Sequence, residues 1–217
     1  MKRLLLLLLA VSALLIFSSC RKSAGAASGT TTGSLSKSTF PETDEVTNFV
    51  KIEMENGGIM LIELYPDVAP ITVKNFQDLV AEHFYDGIIF HRVIYSFMIQ
   101  GGDPDGDGIG GSDKTIKGEF ALNGVENNLK HTRGVLSMAR TNAPNSASSQ
   151  FFIMHADAPH LDGSYAAFGK VIDGLSVVDE IASVQTNASD RPLIPQRMKT
   201  VRFVTVEEVK AEADTTA

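Results

Sequence analysis

Apolar Val50, Ile52 and Met54 alternate with Lys51, Glu53 and Glu55, then Asn56-Gly57-Gly58 breaks the pattern and Ile59 to Leu64 returns. Asn-Gly between two such runs is a strong hairpin signal, so Phe49 to Glu63 is expected to form two antiparallel strands. Beyond Pro66 and Pro70 the period changes. Within ITVKNFQDLVAEHFYDG, Val73, Phe76, Leu79 and Val80 recur at spacings of three and four, which predicts a helix with one apolar face, closed off by Asp86-Gly87. Short β-type runs follow at Ile88 to Ile94, Phe97 to Gln100, Val135 to Ala139, Gln150 to His155 and Ala166 to Val171, separated by Gly-rich or Asn/Pro/Ser-rich loops. Leu175, Val178 and Ile181 share a face of a second short helix over Leu175 to Ala182. Asp190 to Pro195 reads as a loop, and Thr200 to Val209 as a long last strand. Two helices among about eight strands, with no βαβ rhythm, predict a mainly β fold: a closed eight-stranded antiparallel barrel with the helices capping its ends.

The chain ends lie outside that pattern. Lys2 and Arg3 precede an apolar stretch from Leu4 to Phe17, fourteen residues long. A spanning helix needs roughly 20 residues, so a signal peptide over residues 1–19 is the expected reading. The only cysteine, Cys20, follows Ser18 and Ser19. Small residues before a cysteine at this place resemble the lipobox of bacterial lipoproteins, which implies that Cys20 becomes the first mature residue and carries lipid. A lone cysteine in an exported chain has no internal disulfide partner, which fits lipidation. The stretch RKSAGAASGTTTGSLSKST buries too little to offset its ordering entropy, so residues 20–45 are expected to be a lipidated, flexible tether. One domain over 46–210 and a disordered tail over 211–217 complete the organisation. Net charge is −7 for the whole chain and becomes −9 once Lys2 and Arg3 are removed. No Lys/Arg cluster survives in the domain, which argues against a nucleic-acid partner. Nothing resembles a dimerisation helix, so a monomer is expected. The leader implies a location in the bacterial cell envelope, anchored to the membrane through lipid on Cys20 and facing the periplasm.

Three candidate chemistries fail on inspection. Asp103, Asp105, Asp107 and Gly108 open like a calcium-binding EF-hand loop, but the twelfth position is Lys114 instead of Glu and Pro104 is at the second. A surface loop with tight glycine turns explains the segment, and no metal site is assigned. His83, His91, His131, His155 and His160 are scattered without metal-ligand spacing. Ser146, Ser148 and Ser149 lack a nucleophile-elbow pattern. What remains is FHRVIYSFMIQGGDP, residues 90 to 104. There a cation, an aromatic, a thioether and an amide lie within nine residues (Arg92, Phe97, Met98, Gln100), as suits a concave apolar pocket with few polar groups.

FHRVI, FMIQGGDP, Gly108 to Gly111, GVLSMAR, NSASSQFFI and LDGSYAAFGKV occur in this order along the chain. Together they resemble the cyclophilin-type peptidyl-prolyl isomerases. The resemblance implies catalysis by Arg92 and Gln100, and substrate contacts by Phe97, Met98, Gly108, Ala139, Arg140, Gln150, Phe152, His160, Leu161 and Tyr165. Three of these depart from familiar members: His160 replaces an aromatic, Tyr165 a frequent His, and Arg140 a frequent Asn. The implied partners are proline-containing unfolded or partly folded polypeptides. Rotation about an X-Pro bond transfers no proton, so no cofactor is implied. The rival reading is a module that captures proline-containing segments without turnover, motivated by the altered rim at His160 and Tyr165.

Overall fold

The structure is a computed structural model, and it describes residues 40–205. The expected signal peptide, Cys20 and the tail over 211–217 lie outside the described residues. Strand β1 (Glu42–Thr43) comes first, followed by the hairpin β2 (Phe49–Met54) and β3 (Ile59–Leu64). The hairpin turn closes as expected, with Met54 N donating to Gly58 O at 2.8 Å and Gly58 N to the Asn56 side chain at 3.0 Å. Helix α1 (Pro70–Ala81) follows, and it buries Thr72, Val73, Phe76, Leu79 and Val80. Then come β4 (Ile89–Phe90), β5 (Arg92–Ile94), β6 (Met98–Gly101), β7 (Val135–Met138), β8 (Phe151–Met154), β9 (Ala167–Asp173), α2 (Leu175–Ala182) and β10 (Gln196–Val204).

The strands hydrogen-bond in the order β1-β10-β2-β3-β9-β7-β8-β6-β5, every pairing antiparallel, and β4 pairs separately with β10. The result is a curled antiparallel sheet, a half-barrel, and not the expected closed eight-stranded barrel. The physical reason lies at His91, which interrupts the expected run Ile88 to Ile94. Only Ile89 and Phe90 pair with β10, through Arg197 and Gln196, whereas Arg92 to Ile94 pair with β6. The last strand starts at Gln196, four residues before the expected Thr200. Ordered structure also reaches upstream of Val46. Phe40 is buried with Leu61 and Val204, and Glu42 and Thr43 pair with Val204 and Phe203.

Alternation within the central strands divides their side chains between two apolar clusters. Ile99, Leu136, Met138, Phe151, Ile153 and Phe168 join the main core, where Phe76 meets Tyr85, Phe151 and Phe168 at ring-centroid distances of 5.0, 5.5 and 5.3 Å. Met98, Val135, Phe152, Met154 and Ala167 point the other way and join Ala158 and Leu161 in a second cluster. Both faces of β6 and β8 are therefore covered, which is why these strands read as nearly continuous apolar runs. Between β9 and α2, Gly174 has a φ of 83°, and a Cβ there would lie 2.0 Å from Ile59 O, so only glycine fits the approach. Among the described residues, no helix is long and apolar enough to cross a membrane.

Candidate active site

Register builds the site. Arg92 on β5 lies opposite Gln100 on β6, Gln100 opposite Phe152 on β8, and Phe152 opposite Ser137 on β7. Paired strands lie about 4.8 Å apart, so residues separated by up to sixty positions in the chain form one row across the sheet. Beside this row the second apolar cluster opens into a cavity of about 590 Å³. Ten of the expected site residues line it: Arg92, Phe97, Met98, Gln100, Gly108, Ala139, Arg140, Phe152, Leu161 and Tyr165.

Gln150 and His160 do not line that cavity; each supports it. Gln150 Nε2 donates to Gly108 O (3.2 Å) and Gly110 O (2.8 Å), and its Oε1 accepts from Gln100 Nε2 at 2.9 Å. It also borders a neighbouring groove that shares Gln100, Gly108, Ala139 and Arg140 with the main cavity. His160 stacks on Phe97 at 5.7 Å, on the turn over Pro159–Leu161 that supplies Leu161.

Phe152 is fixed from several sides. Tyr165 meets its ring edge-on at 5.8 Å, and His131 stacks against it at 6.1 Å. His131 is held between Asp162 Oδ1 (3.1 Å) and Ser137 Oγ (3.0 Å), both within hydrogen-bond distance of its ring nitrogens. Arg140 lies over the rings of Tyr165 (4.7 Å) and Phe120 (4.8 Å). It also donates to Ser164 O through Nε (3.1 Å) and Nη2 (2.8 Å). A guanidinium held by two rings and a carbonyl fork cannot be replaced by an ammonium.

The loop after β6 carries the acidic run that resembles a calcium site. Asp103 is buried, and its carboxylate accepts N–H bonds from Asp105 (3.0 Å) and Gly108 (2.6 Å). Burial raises its pKa, but those backbone donors and the neighbouring His91 lower it further, and the net position is below the ordinary carboxylate value. Asp103 thus organises the loop that presents Gly108.

Sequence reasoning missed five residues that also line the cavity: His91, Asp107, Asn187, Ser189 and Arg191. His91 is next to Arg92 but is otherwise unmarked in sequence. It is buried, and neither ring nitrogen has a hydrogen-bond partner in the protein. Burial lowers its pKa, Asp103 opposes that, and Arg191 and Arg92 reinforce it. Arg191 belongs to the expected loop Asp190 to Pro195, and Asn187 and Ser189 to the unassigned stretch just before it, nearly one hundred residues from Arg92. An Asn-x-Ser-Asp turn signal was visible there, but nothing local connects it to β5.

Residues 49–203 match the model of the family described as cyclophilin type peptidyl-prolyl cis-trans isomerase/CLD. The peptidyl-prolyl cis-trans isomerase ppi1 of Schizosaccharomyces pombe is 49% identical over 149 residues, covering 68% of this chain and 94% of that protein. The isomerase CYP18-1 of Arabidopsis thaliana is 47% identical over 147 residues, covering 67% of this chain and 90% of its own. A cyclophilin type isomerase of Cryptosporidium parvum, solved in the presence of the dipeptide Ala-Pro, superimposes with a TM-score of 0.67 at 34% identity. That match covers 72% of this chain and 99% of the other. The chain belongs to the cyclophilin-type peptidyl-prolyl isomerase family. It is an enzyme of that type, a peptidyl-prolyl cis-trans isomerase.

Proposed function

We propose that this enzyme accelerates X-Pro rotation in exported polypeptides, with Arg92 as the catalytic donor, while lipid on Cys20 holds it at the bacterial cell envelope. The cross-strand row Arg92, Gln100 and Phe152 beside the apolar cavity carries the catalytic part of this reading. The leader and Cys20 carry the part about location. The matched family region, residues 49–203, leaves the leader outside it.

Resonance in the peptide bond sets a barrier of roughly 18–20 kcal/mol to rotation. In the twisted transition state that resonance is lost, and the prolyl nitrogen becomes a hydrogen-bond acceptor. A donor aimed at it stabilises the twisted state over both planar ones, which is the condition for acceleration. Arg92 supplies a permanently charged, rigid fork of donors. Phe97, Met98, Phe152 and Leu161 hold the pyrrolidine ring, and Gln100 meets the acyl carbonyl that swings. A 10⁵-fold gain needs only about 7 kcal/mol. A charge-assisted hydrogen bond in a largely apolar site is of the right order to supply it. The chemistry forms no covalent intermediate.

The test is a prolyl-peptide isomerisation assay. Arg92→Ala should lower kcat/KM by about 10²–10³, with Arg92→Lys recovering only part of the loss. Equal rates for Arg92→Ala and wild type would sink the Arg-assisted mechanism. Mass spectrometry of the mature N-terminal peptide should find acyl groups on Cys20, and an unmodified thiol there would remove the anchor.

A further inference from the structure

We infer that Asp190 is the positioning residue for Arg92, holding the guanidinium by its Nε edge so that the Nη groups are left to the cavity. Asp190 Oδ2 lies 3.5 Å from Arg92 Nε, and Asp190 is the only ion-pair partner of Arg92 among the described residues. The contact is made twice over. Asp190 also uses its main-chain carbonyl, which accepts from Val93 N at 2.8 Å. Asp190 therefore engages the strand at consecutive positions, by a hydrogen bond to its backbone and by an ion pair with the side chain that the proposed chemistry needs.

The turn bearing Asp190 is built to deliver it. Asn187 Oδ1 accepts from Ser189 N (2.9 Å) and Arg191 N (3.1 Å), Asn187 N donates to Arg191 O (2.8 Å), and Asp190 N donates to Asn187 O (3.1 Å). Thr186 and Pro192 bridge across its base. Asp190 itself has a φ of 60°, in the left-handed region that non-glycine residues seldom enter. The neighbouring bonds enforce that conformation, and it faces the carboxylate toward β5.

Both side chains are about half-exposed, so the pair contributes little to folding stability. Its effect lies elsewhere. An unpaired arginine samples many rotamers, few of which aim at a prolyl nitrogen, and fixing one of them raises the fraction of productive complexes. The inference rests on the reading of Arg92 as the catalytic donor, and the experiment separates the two.

Asp190→Gly keeps the left-handed backbone and the bond to Val93 N but removes the carboxylate; Asp190→Asn keeps the shape and removes the charge. Each is made in the full chain, alone and combined with Arg92→Ala. In the wild-type background, Asp190→Gly should lower kcat about tenfold with little change in KM, and Asp190→Asn should fall between the two. The melting temperature should stay unmoved, and the Arg92 Nε–Hε resonance should shift. In the Arg92→Ala background neither change should lower the residual rate further. The same fold-loss in both backgrounds would show that the turn merely supports the structure, and an undiminished kcat in Asp190→Gly would overturn the inference outright. Wild-type activity in Arg92→Ala alone would remove the reading of Arg92, and this inference with it.

Discussion

The positions that depart from familiar family members are tied into the site by packing. His160 replaces an aromatic yet still stacks on Phe97; Tyr165 meets Phe152 edge-on; Arg140 bridges Tyr165 and Phe120. Tyr165 and Arg140 also line the cavity themselves, whereas His160 acts on it through Phe97. Two buried histidines next to the cavity give the residue scale its pH dependence. Burial lowers the pKa of His91, opposed by Asp103, and burial also lowers that of His131, opposed by Asp162. Below about pH 6.5 the unfolded chain takes up protons that the folded one refuses. The histidine contribution to stability is thus complete above that value and is lost as pH falls toward the folded pKa values. Urea unfolding at about pH 7.5 and about pH 5.5 should show a lower midpoint in acid, with the difference reduced in His131→Gln. A further loss is expected below about pH 4, where Asp86, Asp162 and Asp179 titrate. All three have pKa values lowered in the folded state, Asp179 chiefly by its hydrogen bond from Arg133.

At the scale of elements, α1 shows how a distant segment can complete a helix. Ala69 at its N-cap offers no side-chain cap, so the first N–H groups lack a local acceptor. Glu119, about fifty residues on, supplies one. Its carboxylate accepts from Ile71 N (3.0 Å), Thr72 N (2.7 Å) and Thr72 Oγ1 (2.7 Å), and the residue is buried. A negative group at a helix N-terminus is favourable on dipole grounds as well. Glu119→Ala leaves buried donors unsatisfied and should destabilise the protein by about 2–3 kcal/mol in denaturant titration. Glu119→Gln keeps one acceptor oxygen and should cost about 1 kcal/mol. The periodicity of α1 was plain in the sequence; its cap was not, because the partner comes from a loop with no helical signal.

For the molecule as a whole, legibility followed the range of the interactions. The β2–β3 hairpin and α2 were readable because alternation, turn residues and helical spacing are local. Arg92, Phe97, Met98 and Gln100 were legible in the FHRVIYSFMIQGGDP run, whereas the other expected lining residues were implied by the ordered blocks that resemble the family. Sheet closure was misjudged because it depends on how His91 divides one run between two partners. Asp190 and Arg191 were passed over as loop because their relation to Arg92 exists only after folding. The upstream limit failed for a similar reason: Phe40 is one apolar residue in a polar stretch, and only Leu61 and Val204 show that it is buried. Phe40→Ala should therefore lower stability by about 3 kcal/mol, read from the urea midpoint, although it belongs to a different apolar cluster from Phe152.

The relay from Gln150 has one more effect. Gly108 O and Gly110 O can only accept, so Gln150 must present its amide nitrogen to them and its oxygen to Gln100. Gln100 must then commit one amide hydrogen to Gln150. A half-turn of either amide would set two oxygens against each other, so the polarity of the whole chain is dictated by the main chain of the 108–110 loop. Gln100 thus presents a single handedness to the cavity: one hydrogen and one oxygen, each on a predetermined side.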